Sequence, residues 1–381
     1  MRLYVVLFIL LFVIYVIITN DKLNLEHFNN HKINTFSTDC GQVTKLLGQV
    51  MTERNIIDNN TDNYDLFIPC SYNDCEKKIL YFENKDNKYI FMVDGCDWIA
   101  SKLALWELLV DEYDEKASKY MPTTYLLENK KDLENFPKHF AENKSKRSDQ
   151  IYVLKNYAQR QEGIKLTRDL DEILNGLNKG WYLVQDYVYN PYIIDKRKIN
   201  FRYYLLITCF NNKIKGYLHN DGFLYYTPKY YDEYDMDFDK HITTGYIDRK
   251  VYEENPLTLE DFRKHLDKKN LGLRKKWDQN AENLMNKVMV AISKKICKNN
   301  RLNNHKKFQL FGCDLAPDAN LGVTLMEINK GPDLDAKDER DKQVKLRVQR
   351  DIFLIIDPED SDSKDEDIGE TIKDTRFVKI F

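Results

Sequence analysis

Asp314, Glu327 and Asn329 fall within FQLFGCDLAPDANLGVTLMEINKGPDL, residues 308–334, in runs that otherwise read as buried strand. Side chains alternate along a strand, so TLMEIN predicts Leu325, Glu327 and Asn329 on one face and Met326 and Ile328 on the other. Asp314 ends the preceding strand, and the turn-forming PDANLG lets the chain return alongside it. Three oxygen donors then converge. Buried carboxylates need cations or donors, and hard oxygen ligands suit Mg²⁺, which also takes phosphate oxygens and water. Salt-bridged strand ends facing solvent would carry the same residues.

Further polar residues interrupt other apolar runs. In YVLKNY, Lys155 occupies the outward phase of a short strand, followed by RQEGI (160–164), a glycine-containing turn. An ammonium is a compact charge suited to phosphate, and glycine lets backbone N–H groups approach phosphate oxygens. A strand lysine reaching to water looks alike. In YLVQDYV (182–188), Gln185 and Asp186 break an apolar run, as at an adenine-reading edge or the polar end of an edge strand. DKRKINFRYYLL sets Lys198, Asn200 and Arg202 on one strand face, with Arg197 off it. That row suits a triphosphate, and equally a solvated sheet face. DKHITTGY (239–246) places His241, Thr243 and Thr244 in a loop, where a lone histidine is most often structural.

Elements that position these residues are legible from composition and periodicity. The 381 residues, 43% hydrophobic and 13% aromatic, suffice for two or three packed lobes. Lys and Arg number 58 against 61 Asp and Glu, a net charge of -3 that makes no electrostatic case for nucleic acid. The seven cysteines form no CxxC pair or metal-type cluster and read as free thiols of a reducing compartment. The opening MRLYVVLFILLFVIYVIITNDK is uncharged from Leu3 to Thr19, about 25 Å as a helix, with Tyr4 and Tyr15 near its ends. It lacks a small-residue cleavage site and predicts an uncleaved anchor, a signal peptide being the competing reading.

Residues 21–60, rich in Asn, Thr and Asp, read as a stalk. YDLFIPC (64–70) and KYIFMVDGC (88–96) predict strands, and DWIASKLALWELLVDEYDEKASKYM a helix on the spacing of Ile99, Leu103, Leu105, Trp106 and Leu109. TTYLLE, QIYVLKNY (150–157) and GWYLVQDYVYNPYII (180–194) predict further strands, with helices at a charged stretch after TTYLLE and at RDLDEILNGLNK. NFRYYLLITCFNNKIKGYLHNDGFLYYT reads as two strands joined by NNK and then a turn at NDG. DQNAENLMNKVMVAISKKICKN predicts a long helix, DPEDSDSKDEDIGETIKD (357–374) a solvated acidic tail, and TRFVKIF a docked terminal strand.

In order, MPTTYLL, VLK with RQEGI, VQDYVYNPYIIDKRKINFRYYLLIT, NDGFLY, HITT, FQLFGCDL and LMEINKGPDL resemble the successive motifs of the tubulin-tyrosine ligase family of ATP-grasp ligases, from Lys102 to Leu334. The resemblance implies an α+β, three-lobed ATP-grasp fold, here preceded by a single transmembrane helix. The expected divisions are an anchor at 1–20, a stalk at 21–60, an N-terminal lobe at 61–120, a central ATP-grasp lobe at 121–187, a C-terminal ATP-grasp lobe at 188–356 and an acidic tail at 357–381. It further implies ATP and Mg²⁺, a carboxylate activated as an acyl phosphate, and attack by an amine. The implied partners are a free amino acid and a protein acceptor such as tubulin or another acidic tail, with no nucleic acid. The membrane would be met through residues 3–19, and the ligase lobes would face cytosolic ATP.

Carried over by position, Lys155 matches the lysine on the α- and β-phosphates, and Gln185 with the Tyr187 and Val188 backbone the adenine hinge. Lys198 and Arg202 match the catalytic cations of the family's KFDIR run, with Asn200 in its Asp position. His241 and Thr243 match its HLTN loop, and Asp314, Glu327 and Asn329 its magnesium ligands. This sequence departs from the pattern at Asn200, at Asn156 in place of a common Pro, at the single glycine of RQEGI, and at Tyr225, where the family has an Arg touching the reacting groups. Arg160, Lys165, Lys229 and Lys330 are candidate replacements for that cation. Tyr225 and Asn200 also raise the alternative of a catalytically silent nucleotide-binding module tethering a partner at a membrane.

Overall fold

Aromatic and β-branched residues gather in short runs, and each run becomes a strand. The computed structural model describes residues 32–59, 61–156, 163–358 and 367–381. The first strands are β1 (Thr35–Thr38), β2 (Ile57–Asp58), β3 (Leu66–Ile68) and β4 (Tyr89–Ile90). Then come β5 (Thr124–Leu126), β6 (Tyr152–Lys155), β7 (Ile164–Thr167) and β8 (Leu183–Asp186). The remainder are β9 (Ile193–Ile194), β10 (Arg197–Phe210), β11 (Lys213–Tyr226), β12 (Lys306–Pro317), β13 (Val323–Asn329) and β14 (Phe377–Lys379). A ten-stranded sheet runs β14-β11-β10-β12-β4-β3-β1-β2, with β13 added on β12 and β9 on β10, and β5-β8-β6-β7 form a separate antiparallel sheet of four.

The long helix Leu271–Ile292 buries Trp277, Ala281, Leu284, Met285, Val288 and Ile292 at helical spacing. Trp277 anchors that stripe, its ring centred 4.4 Å from Phe201 of β10 and 5.3 Å from Phe262 of the helix Leu259–Lys269. The small sheet has its own core, where Tyr152, Leu154 and Val184 pack with Phe136 of the helix Lys130–Lys146 and with Ile173. Two separately packed sheets thus meet polar residues at the ends of β6, β8, β10, β12 and β13.

Several expectations are corrected. From Ile33 onward the supposed stalk is folded: β1 pairs in parallel with β2 and β3, and Phe36, Leu47, Val50 and Met51 are buried. Partners tens of residues away hide this from local periodicity. Residues expected in separate N- and C-terminal lobes share one sheet, since β4 pairs with β12 through Tyr89 and Lys306. The helix expected from Asp97 onward is broken at Ser101, whose extended backbone (ψ 121°) and hydroxyl, accepting from the Ala104 N–H at 3.2 Å, cap a new helix at Lys102–Tyr113.

NDG is not a turn, because β11 runs straight through it, with an irregularity opposite Tyr203 to Leu205. A Cβ at Gly222 would lie 2.2 Å from the Arg202 carbonyl oxygen, so the glycine permits close strand approach. The acidic tail is not wholly solvated: Asp357 is buried and accepts from Arg54 Nη2 at 3.1 Å, while residues 359–366 lie outside the described residues. TRFVKIF does dock, as β14 on β11.

The cysteines are not all free. Cys40–Cys70 and Cys209–Cys297 are disulfides with Cα separations of 5.7 and 6.3 Å, and Cys75, Cys96 and Cys313 are buried thiols. The partners lie 30 and 88 residues apart in sequence and meet only in the fold. Among the described residues no helix is long and apolar enough to cross a membrane, and the expected span, residues 3–19, lies outside them. The expectation of a single-pass membrane protein with cytosol-facing lobes is corrected on that finding.

Candidate active site

A cavity of about 1330 Å³ opens between the two sheets, and the residues matched by position to the family's nucleotide, catalytic and magnesium positions all line it. Lys155, Gln185, Tyr187 and Val188 come from β6, β8 and the segment that follows β8; Lys198, Asn200 and Arg202 from β10; His241, expected in a loop, from the end of the short helix Phe238–His241 and Thr243 from just beyond it; Asp314, Glu327 and Asn329 from β12 and β13. Strand alternation holds on β10, where Lys198, Asn200 and Arg202 face inward and Arg197 turns away to donate to the Thr227 carbonyl at 2.8 Å.

Register fixes the acidic side. Arg202, Asp314 and Glu327 are directly paired across β10, β12 and β13. Arg202 holds Asp314 with two bonds, Nε to Oδ1 at 2.6 Å and Nη2 to Oδ2 at 3.2 Å. Burial nevertheless lifts the Asp314 carboxyl to about 6, against the pull of Arg202 and with a further push from Glu327. For Glu327, burial alone would raise the carboxyl, but Lys102 at 3.8 Å, Lys155 and a hydrogen bond donated by Asn329 Nδ2 at 3.1 Å hold it below the ordinary range. Glu327 and Asn329 point the same way as expected. Leu325 does not simply continue that face, because a bulge at Met326 shifts the register so that Leu315 pairs Leu325 while Asp314 pairs Glu327.

Basic residues on the other side are buried with their ammonium groups hydrogen-bonded to neutral oxygens. Lys155, expected at an outward phase, is only 5% exposed, and its ammonium donates to Gln185 Oε1 at 2.7 Å. Gln185 in turn donates to Thr124 Oγ1 at 2.9 Å, so this side chain orients Lys155 and is not spare for an adenine edge. β8 lies inside its sheet, which leaves the segment after it, with Tyr187 and Val188, to line the cavity. Lys198, also 5% exposed, donates to the Tyr187 hydroxyl at 3.2 Å and lies 4.4 Å from that ring's centroid. The chain of bonds continues to His241, whose Nδ1 meets the Tyr187 hydroxyl at 2.8 Å and whose Nε2 donates to the Asp235 carbonyl at 2.6 Å. A carbonyl can only accept, so Nε2 carries the proton and Nδ1 accepts from Tyr187. Burial pushes Lys155 down to about 8, Lys198 down to about 7, and His241 below its usual value.

Of the candidate substitutes for the missing arginine, Lys165 and Lys229 are tied to Glu172 and to Asp237 and Asp239, away from the cavity wall. Lys330 lines the cavity but pairs with Asp97, and Arg160 lies outside the described residues. Sequence reading missed Lys102, Arg249, Lys337 and Lys345, which also line the cavity. They come from separate segments with no motif of their own. Lys102, the first residue of its helix, was detectable only as a polar residue beside the misread break at Ser101.

Two carboxylates and an amide oxygen on adjacent strands are the hard-oxygen donor set that Mg²⁺ takes. Asn200 adds a buried Oδ1 with no partner among the described residues, in the same wall as the two lysines. The cavity can thus accommodate a polyanion with a divalent cation.

A model of the tubulin-tyrosine ligase family matches residues 83–364. The chain is similar to "Probable tubulin polyglutamylase ttll-9" of Caenorhabditis elegans, 26% identical over 257 residues, covering 63% of this chain and 58% of that protein. It is 24% identical to "Tubulin glycylase 3B" of Drosophila melanogaster, over 70% of this chain and 35% of that one. It is 27% identical to human "Inactive polyglycylase TTLL10", over 60% of this chain and 37% of the relative. The chain therefore spans between about a third and three fifths of these relatives' lengths. With the family model matching most of its length, the chain belongs to the tubulin-tyrosine ligase family.

Proposed function

We propose that this chain is an ATP- and Mg²⁺-dependent carboxylate–amine ligase that attaches a free amino acid to a protein acceptor such as tubulin through an acyl phosphate. One observation carries the reading: a single cavity holds two buried lysines on neutral partners and, facing them, two half-buried carboxylates on adjacent strands. A triphosphate bridged by a divalent cation satisfies both halves at once. The four-stranded sheet and the β10 to β13 part of the larger sheet act as the two lobes of an ATP-grasp fold.

In the proposed reaction an acceptor carboxylate oxygen attacks the γ-phosphorus and ADP leaves; the amine then attacks the acyl carbon, loses a proton and expels phosphate. Lys155 and Lys198 hold the phosphate oxygens, with Gln185 and the Tyr187–His241 chain fixing where each ammonium sits. Tyr187 and Val188 border the base. Arg202 stabilises charge that grows on the transferring group, beside Asp314. Asp314, Glu327 and Asn329 would hold Mg²⁺, which when bound neutralises phosphate charge during transfer. His241 acts here as a positioning residue, and Thr243 supplies a hydroxyl at the same wall.

Incubation with ATP, tubulin and single labelled amino acids tests this. Equimolar ADP and labelled protein are expected, and their joint absence across glutamate, glycine, tyrosine and a panel of acidic acceptors contradicts it. Tyr225 specifically favours a second reading, a nucleotide-binding module without turnover, because it puts a neutral ring 5.5 Å from Arg202. ATP binding with no ADP formed under any acceptor would select that reading.

A further inference from the structure

Along the β11 side the cavity changes character. Its walls are Phe223, Tyr225, Tyr252 and Leu257, and the cations there are Arg249, Lys337 and Lys345. Two of the three are already matched: Arg249 pairs with Asp338, and Lys345 lies 3.3 Å from Asp341. Lys337 differs. Its ammonium donates to the Gly245 carbonyl at 2.7 Å, lies 4.2 Å from the centroid of Tyr246, and makes no ion pair among the described residues. Both contacts leave N–H bonds for a ligand, since an ammonium carries three donors.

Position adds to this. A Cβ on Gly245 would stand 3.0 Å from the Tyr225 ring, so Lys337 is held one residue away from the face of that tyrosine. Tyr225 pairs directly with Asn200 on β10 and lies 5.5 Å from the Arg202 guanidinium. A molecule extending out of the lysine and carboxylate region past Arg202 therefore meets aromatic walls and then one ammonium without an acidic partner. An anionic group at the end of an otherwise apolar arm fits that sequence of surfaces.

We propose that Lys337 binds a carboxylate of the substrate that enters beside Tyr225, supplying on this side of the cavity the positive charge that Tyr225 cannot. The inference rests on the ligase reading for the identity of that substrate, whose carboxylate is either the α-carboxylate of the free amino acid or a side chain of an acidic acceptor. Lys337 sits at the exposed rim of the cavity, so its replacement leaves the packed core intact.

The test uses the full chain carrying Lys337→Ala and Lys337→Arg, with a non-hydrolysable ATP analogue, Mg²⁺, and either L-glutamate or a glutamate-rich peptide titrated calorimetrically. Lys337→Ala is expected to weaken one of the two probes about tenfold or more, Lys337→Arg to recover most of it, and analogue affinity to stay within about twofold. Which probe responds assigns the carboxylate to the amino acid or to the acceptor. Equal binding by wild type and Lys337→Ala, or no binding of either probe to wild type, overturns the assignment. If probes bind as expected but no ligation product forms with ATP, the ligase reading falls and the carboxylate site stands.

Discussion

Lys155 and Lys198 are buried against neutral oxygens, whereas Asp314 and Glu327, half-buried in the same cavity, stand against cations. The acidic half is internally matched: Arg202 grips Asp314 in a two-point pair, and Lys102 stands near Glu327. In the basic half, burial is answered by a depressed pKa, to about 8 for Lys155 and about 7 for Lys198. Desolvation favours the neutral amine; Glu327 and Asp314 offset it only in part at Lys155, and nothing offsets it at Lys198. The contrast teaches that the acidic half is pre-organised as it stands, while the basic half is complete only when an anion arrives.

The two halves should therefore respond oppositely to truncation. Asp314→Ala leaves the half-buried Arg202 guanidinium without its partner and should destabilise the fold by about 1–3 kcal/mol, read from urea unfolding. A loss below 1 kcal/mol, on the order of ordinary surface changes, would erase the distinction. Glu327→Gln keeps shape and should lower turnover about 10²- to 10³-fold with little change in melting temperature. Lys198→Met removes an uncompensated charge: nucleotide affinity should fall about 10- to 100-fold while stability holds or rises. Destabilisation by that replacement would show that the lysine is matched after all.

Acidity gives a subtler probe. Below about pH 7 the Lys198 ammonium is already present; above it the free protein must take up a proton to bind phosphate. Nucleotide affinity should thus fall as pH rises from about 6 to about 9, and calorimetry in buffers of different ionisation enthalpy should detect proton uptake on binding. A flat profile would mean that Lys198 stays charged unaided. The smallest expected effect is that of Tyr187→Phe, which cuts the bond chain from Lys198 to His241 and should weaken nucleotide binding about fivefold.

Motif order and strand alternation made the inward row of Lys198, Asn200 and Arg202 readable, and likewise the pairing of Glu327 with Asn329. What stayed hidden depended on contacts between distant segments. The bulge at Met326 alters a face without altering composition, and Gly222 looks like a turn residue although its service is to admit the Arg202 carbonyl. Lys155 sits in a run with the alternation of a half-exposed strand, yet both faces of β6 are covered. Cys209 meets Cys297 only after 88 residues of chain, and Ile33 to Asp58 reach the sheet through parallel pairing that local pattern does not encode. Lys337 lacked any motif, and only its proximity to Gly245 and Tyr225 gives it meaning.

The most direct measurement is a crystal structure with a non-hydrolysable ATP analogue and Mn²⁺, using anomalous scattering to locate the ion. The expected result places the ion among Asp314, Glu327 and Asn329, with phosphate oxygens on Lys155 and Lys198. An ion bound elsewhere, or phosphates that leave both ammonium groups on Gln185 and Tyr187, would contradict it.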